Sequence, residues 1–500
     1  MGKLINEQIS FTIALLMFFM VACAIGPDYQ RPKVDISQAW RFEEKEALDV
    51  ANTAWWEQFN DPVLNELIQI ALKENKDLMV ASARIEEFIG RYRTTRSYLF
   101  PKINAQAVGG RSRATEEGPS PLSPSIENPS DFFQGFFFGS WEIDLWGKLR
   151  RAKEAARADL LGTEEGRRGV ILTLVAAVAN GYINLRDLDR ELEISKRTAT
   201  TRDGTYKMFK LRFEAGVISE LELSQVKSEY EAALAAIPQF EKAIAQQENA
   251  LSILLGRNPG VITRGKMIDE LALPVVPQGV PSDVLDRRPD IRQAEQDLIA
   301  ANARIGVAKA AYFPSISLTG DYGYASTELS NLFDGPAKAW SWTAPIVAPI
   351  FTAGQISGEV KAANAMQQQA LFRYQQVIQN AFREVDDSLI DQNKTREQLG
   401  AQGRQVEALR QYARLARLRF DEGYTSYIEV LDAERSLFDV ELSYTQTQAT
   451  VFQALVNLYK SMGGGWVNEA DKLTIDMSGT GKPAQETLWE RMKGALQLIN

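Results

Sequence analysis

The sequence predicts a mixed membrane α+β chain built from two like halves, each a helix, a pair of strands and a long helical hairpin. Three observations predict it. Leu211–Glu222 (LRFEAGVISELE) and Leu418–Glu429 (LRFDEGYTSYIE) agree at six of twelve positions at an offset of 207 residues. Apolar residues recur with heptad spacing over stretches far longer than a globular helix. Between these stretches lie four segments that alternate with period two, each about ten residues, the length of a tilted membrane strand.

At the N-terminus, Phe11 to Ala22 (FTIALLMFFMVA) is the only long apolar run. Twelve residues cannot cross a bilayer as a helix, which needs about 20. Preceded by Lys3, the run reads as the apolar region of a signal peptide over 1–22. It ends at Ala22-Cys23, and Cys23 is the only cysteine. That junction resembles a bacterial lipoprotein cleavage site, which would make Cys23 the lipid-attachment residue of a segment spanning 23–60. Ala24, in place of Asp, implies sorting to the outer membrane, where several acyl chains anchor firmly. A plain signal peptide with an incidental cysteine is the alternative.

The first repeat is expected over 61–257 and the second over 282–465. A Pro- and Gly-rich linker, 258–281, joins them, and a tail, 466–500, matches nothing in the first half. Gly147 aligns with Gly354 at the offset of 207; Ala83-Arg84-Ile85 with Ala303-Arg304-Ile305, and Phe100-Pro101 with Phe313-Pro314, need 220 and 213. The opening helices are expected at Asp61–Tyr98 and Asp283–Ala311. The first long helix should run from about Lys148 to Arg212, roughly 95 Å at 1.5 Å per residue. Its partner should run from Ser219 to Leu255, kinked at Pro238. Its stripe is Leu223, Val226, Tyr230, Ala233, Ile237, Phe240, Ile244, Leu251 and Leu254, with Gln247 the polar break. Val430, Ala433, Leu437, Val440, Tyr444, Val451, Ala454 and Leu458 repeat it, broken at Thr447. Ile171, Val175, Val178, Tyr182, Leu185 and Leu192 mark the longer helix.

The strand segments are Ile103–Arg113, Phe133–Leu145, Ser315–Tyr324 and Trp340–Ile350. In the last, Trp342, Ala344, Ile346, Ala348 and Ile350 share one face. Tyr322, Tyr324, Trp340 and Trp342 cluster as interface aromatics do. Four strands cannot close a barrel, and open edges are not tolerated in lipid. Either the sheet packs on the helices, or three chains supply twelve strands to one barrel.

Composition removes whole classes of function. The 500 residues carry 56 basic and 65 acidic side chains, a net charge of −9, so nucleic acid is not an expected partner. Histidine is absent, and with it the commonest general base and metal ligand. One cysteine permits no intrachain disulfide and no Cys-cluster zinc site. No cofactor, metal site or catalytic residue is expected, and the chain is read as no enzyme.

Several segments resemble a known family. Cys23–Pro32 reads CAIGPDYQRP, followed by Trp40 and Trp55-Trp56. Asp286–Thr319 reads DRRPDIRQAEQDLIAANARIGVAKAAYFPSISLT, Glu142–Arg150 reads EIDLWGKLR, and Gly463-Gly464-Gly465-Trp466 closes the second repeat. Together they resemble the TolC-type outer-membrane factors of tripartite, RND-type efflux pumps, in the lipoprotein branch similar to OprM and NodT. The resemblance implies a homotrimer with a 12-stranded transmembrane β-barrel, four strands per chain, continued by a long periplasmic α-helical barrel. It implies a passive exit duct in the bacterial outer membrane, partnered by a periplasmic adaptor (membrane fusion) protein and an inner-membrane RND-type transporter. Multidrug resistance is the trait such ducts serve. The competing reading is a lipid-anchored extracytoplasmic coiled-coil structural or adhesion protein.

Gly216 and Gly423 stand where the long helices end, at left-handed cap positions. Ser219 with Glu222, and Ser426 with Glu429, have the spacing of capping boxes for the returning helices. By resemblance these hairpins are the periplasmic tips that meet the adaptor. The contact residues implied are Arg212, Gly216, Val217 and Ser219 on one, and Arg419, Gly423, Tyr424 and Ser426 on the other. The family closes its tip with acidic rings, and the matching positions are Glu429 and Asp432. Three apart, they share a helix face, and three chains would bring six carboxylates to the pore.

Overall fold

The structure is a computed structural model that describes residues 24–34, 40, 54–115, 117, 127–276, 281–463, 465–474 and 493. The signal segment 1–22, Cys23, Gly464 and nearly all of the tail beyond 474 lie outside the described residues.

The opening helix of each repeat is two helices, not one. α1 (Pro62–Glu74) and α2 (Lys76–Ser97) divide at Asn75, which is extended. Its side chain accepts the Leu78 N–H at 3.0 Å and donates to the Leu254 carbonyl at 2.9 Å. A distant helix end thus holds the break open. α5 (Pro281–Arg287) and α6 (Pro289–Ala310) divide at Arg288, because the residue before a proline is driven out of helical geometry. Arg288 then reaches Asp290, Glu384 and the Ser461 carbonyl, each within 2.8 Å.

The long hairpins are α3 (Lys148–Glu214) with α4 (Glu220–Leu254), and α7 (Gln355–Asp421) with α8 (Tyr427–Ser461). The long helices are 67 residues each and the returning ones 35 each. α4 continues through Pro238 as one helix. The predicted stripes form the buried faces: Val226, Ala233, Phe240 and Leu251 on α4, Val430, Ala433, Val451, Ala454 and Leu458 on α8. The polar break Gln247 is satisfied by Asn184 at 3.1 Å and the Gly181 carbonyl at 2.9 Å.

One antiparallel sheet runs in the order β1 (Lys102–Ser112), β2 (Ser130–Ile143), β3 (Ser315–Ser326), β4 (Lys338–Thr343). The β2/β3 ladder joins the repeats, from Phe133 opposite Ser326 to Ile143 opposite Ile316. The fourth strand is shorter than its alternation predicts. It stops at Thr343, and β5 (Ile346–Val347) pairs separately with β3. Pro345 has no N–H to give to a ladder; its carbonyl accepts from Ser317 at 3.2 Å. Ala348 and Ile350 are in no strand.

The core is a belt around the middle of α3. Trp55, Trp56, Phe59, Phe452, Tyr459 and Trp466 are buried there, with Trp55 stacked on Tyr459 at 5.3 Å. α3 is apolar enough in one stretch to cross a membrane, but Ile171, Val175, Val178 and Tyr182 are fully buried in this belt. Trp466 opens the short α9 (Trp466–Lys472). There Asp471 forms a buried ion pair with Arg167 of α3, which also donates to Ser82 at 2.9 Å and Thr474 at 2.8 Å.

Candidate functional site: hairpin tips, sheet edges and N-terminal strap

Both hairpin turns are made the same way. Gly216 (φ 71°) and Gly423 (φ 77°) are left-handed, where an L side chain is strained. Val217 N–H donates to the Arg212 carbonyl at 2.9 Å, and Tyr424 N–H to the Arg419 carbonyl at 2.8 Å. This six-to-one bond satisfies a carbonyl that the ended helix leaves free.

The tips lie side by side. Tyr427 of α8 packs on Phe209 of α3 at 4.4 Å and on Phe420 of α7 at 4.9 Å. Arg212 covers both phenylalanines, at 5.8 and 5.7 Å. Burial pushes the Tyr427 phenol up to about 12. Outside this cluster, Val217, Leu221, Tyr424 and Ile428 are exposed, Tyr424 by 77%. All eight tip residues named from the sequence therefore stand at one end of the helices.

The two returning helices are capped differently. Ser219 and Glu222 form the expected reciprocal box, with the Ser219 N–H donating to Glu222 at 2.8 Å. Ser426 makes no such side-chain bond. The Glu429 carboxylate instead takes the Thr425 hydroxyl and the Arg419 guanidinium, the latter at 3.2 Å. Thr425 stands where the first hairpin has Ile218, which offers no donor. This corrects the expectation of two equal boxes. Asp432 is half exposed and pairs with Arg435 at 3.0 Å, one turn along.

At the other end, β1 pairs only with β2, and β4 only with β3, among the described residues. Both outer edges are therefore free within one protomer. Trp340, Trp342, Phe137 and Ile346 stand more than half exposed on this sheet.

An N-terminal strap, 24–34, runs from the sheet end along α3 and α6. Ile25 N–H donates to the Trp146 carbonyl at 3.0 Å, and Asn302 to the Pro27 carbonyl at 2.9 Å. Arg151 binds Asp28 at 2.7 Å, and Arg31 binds Glu295 at 3.1 Å. Gly147 (φ 77°) is needed at the strap's start, since a Cβ there would meet the Ala24 Cα at 2.7 Å. Lipid attachment at Cys23 falls just outside the described residues.

Sequence reasoning did not single out a pair of buried carboxylates, Asp187 and Glu191 on α3. Their signal was available: Ala179, Ile183, Asp187 and Glu191 form one four-residue row, so two acids continue a buried apolar line.

The family described as "Outer membrane efflux protein" matches residues 67–257 and 280–464. The toluene efflux pump outer membrane protein TtgC of Pseudomonas putida is 34% identical over 492 residues, 97% of this chain and 99% of TtgC. The cation efflux system protein CusC of Escherichia coli is 34% identical over 466 residues, 92% of this chain and 99% of CusC. Among solved structures, the open state of the Neisseria gonorrhoeae MtrE outer membrane channel superposes with a TM-score of 0.80 at 31% identity. That match covers 89% of this chain and 99% of MtrE.

Proposed function

The chain belongs to the outer membrane efflux protein family, and from that premise we propose how this duct is closed and anchored. The protein is an outer-membrane exit duct with a periplasmic helical extension. It works as a trimer with a periplasmic adaptor and an inner-membrane transporter. The family consists of channels, not enzymes, and we read this chain as having no catalytic activity of its own. The free β1 and β4 edges are the observation that carries the barrel: in lipid, only strands of neighbouring copies can satisfy them.

Closure is assigned to Asp432 and Glu429, unequally. Asp432 is exposed and holds only a surface ion pair with Arg435, which binds weakly. Glu429 is already partnered by Arg419 and Thr425. Three copies place a ring of carboxylates at the tip, which favours cations. The exposed Val217 and Tyr424, beside Arg212, Gly216, Ser219, Arg419, Gly423 and Ser426, form the adaptor-contact surface. The strap supports lipid attachment at Cys23, since it begins beside Gly147 where the sheet passes into the helices. Cargo follows the relatives in class: an apolar solvent such as toluene, as TtgC's name indicates, or cations, as CusC's does.

Single-channel recording of the purified trimer in a planar bilayer tests the gate. A small cation-selective conductance is expected, and Asp432→Ala should raise conductance and lower selectivity more than Glu429→Ala. Unchanged conductance and selectivity in the double variant would overturn the assignment. Mass spectrometry of the mature N-terminal peptide should find an acylated Cys23; an unmodified thiol would remove the anchor.

A further inference from the structure

Asp187 and Glu191 lie one turn apart on α3, hence on one face. They are 6% and 2% exposed. Glu191 accepts from the Gln446 amide of α8 at 2.6 Å. Asp187 Oδ1 has no hydrogen-bond partner. A buried ionised carboxylate in that state is costly, whereas a protonated one is tolerated.

The surrounding charges do not relieve it. On α3, Arg186 is held by Asp189 at 2.6 Å and the Lys266 carbonyl at 2.8 Å, and Arg190 by Glu193 and Asp269. From the inter-repeat connector, Arg264 is taken by Asp189 and Glu248, the latter on α4. Asp61, before α1, takes the Tyr182 hydroxyl at 2.8 Å. From α8 the charged group is Glu441, bound by Arg197 and by Arg410 of α7; Gln446 and Thr447 are uncharged. Burial pushes the Asp187 carboxyl up to about 7, and the neighbouring Glu191 charge adds to it. Burial raises Glu191 too, and the Gln446 bond opposes this.

The pair's position gives it leverage. The connector's ion pairs to α3 reach Asp189 and Arg190. From there to Gly216 α3 continues for about 37 Å, packed on α4 and α8 through Arg202 with Glu229, Arg197 with Glu441, and Phe209 with Tyr427. The α3/α8 seam holds one hairpin against the other, and the carboxylates sit within it, between the Asn180–Asn457 contact above and the Arg197–Glu441 pair below.

We propose that Asp187, buried beside Glu191, holds a proton that locks the α3/α8 seam, so that loss of this proton favours separation of the two hairpins and opening of the tip. The inference rests on the reading of the tip as the channel's gate. In the closed seam the pair is dry and keeps its proton; if α8 withdraws, water reaches the pair and Asp187 returns to the usual carboxylate range. The closed state thus binds more protons than the open one. Closure is strongest at low pH and is progressively lost as pH rises from the usual carboxylate range to about 7. Between pH 6 and 8 the opening equilibrium should rise by up to about tenfold per protomer.

Conductance of the intact trimer, recorded from pH 6 to 8.5, reads this directly. The wild type should open more as pH rises, Asp187→Asn should be flat, and Glu191→Gln should move the rise to lower pH. Infrared difference spectra of the same trimers supply a readout independent of the gate: a protonated carboxyl band that titrates near pH 7 and is missing in Asp187→Asn. No such band in the wild type overturns the proposal, whatever the gate does. A titrating band with identical pH profiles in wild type and Asp187→Asn overturns the coupling. If the pH response follows the proposal while the Asp432 and Glu429 variants leave selectivity unchanged, only the gate assignment fails.

Discussion

The long hairpins of the two repeats have helices of the same lengths and bury them in opposite order. In the first, the long outgoing α3 is the buried element and the returning α4 is exposed except at residues such as Val226, Ala233, Phe240 and Leu251. In the second, the returning α8 is buried through much of its length, while the 67-residue α7 buries little beyond Tyr374, Ile378, Ala381, Val385 and Leu389 and isolated residues below. α3 and α8 therefore form the protomer's centre, and α4 and α7 its flanks. The sheet repeats this arrangement, with β2 and β3 central and β1 and β4 as edges. Duplication supplied two units of one plan, and within one protomer they bury opposite helices of the hairpin.

The largest effect should come from breaking the buried side. Arg167→Met leaves Asp471 ionised with no charge partner, which costs about 3–5 kcal/mol; thermal melting of the trimer should show it. On the flank, Phe372 of α7 is 64% exposed within one protomer. Phe372→Asp should leave helix content unchanged but weaken each interface by roughly 2 kcal/mol, seen as monomer in detergent-resistant electrophoresis. An intact trimer would mean that this face of α7 meets the lumen rather than a neighbour. Smaller again, Gly423→Ala places a side chain at φ 77° and should cost about 1 kcal/mol, read by hydrogen exchange confined to the second tip. Adaptor affinity should fall with it. Smallest, Thr425→Ile makes the second turn like the first. Glu429 should move from Thr425 to the Ser426 cap, with a stability change of a few tenths of a kcal/mol, visible in the exchange of the Ser426 and Glu429 amides.

Particular residues show what was legible. The tip glycines, the heptad stripes and the offset of 207 could be read because each is a local constraint: a left-handed turn, a repeat spacing, a copied segment. The break at Arg288 is also local, since Pro289 follows it. Pro345 likewise marked the end of β4. The break at Asn75 was not legible in the same way, because its partner is the Leu254 carbonyl, 179 residues away. The loss of the second capping box was local as well: Thr425, where the first hairpin has Ile218, offers Glu429 a hydroxyl, whereas Arg419 has its counterpart in Arg212.

By itself, the sequence determined the duplicated plan, the extents of the long hairpin helices, the turn glycines and the amphipathic strands. These follow from backbone and side-chain preferences acting over a few residues. Only the tertiary structure decided which stripe meets which, that α3 and α8 are central, and that Asp187 and Glu191 are dry. Heptad stripes are alike on α3, α4 and α8, and periodicity names a buried face without naming its partner. The partner is set by contacts hundreds of residues apart, such as Arg167 with Asp471 and Trp55 with Trp466, which bring segments from both repeats' outer sides together around α3.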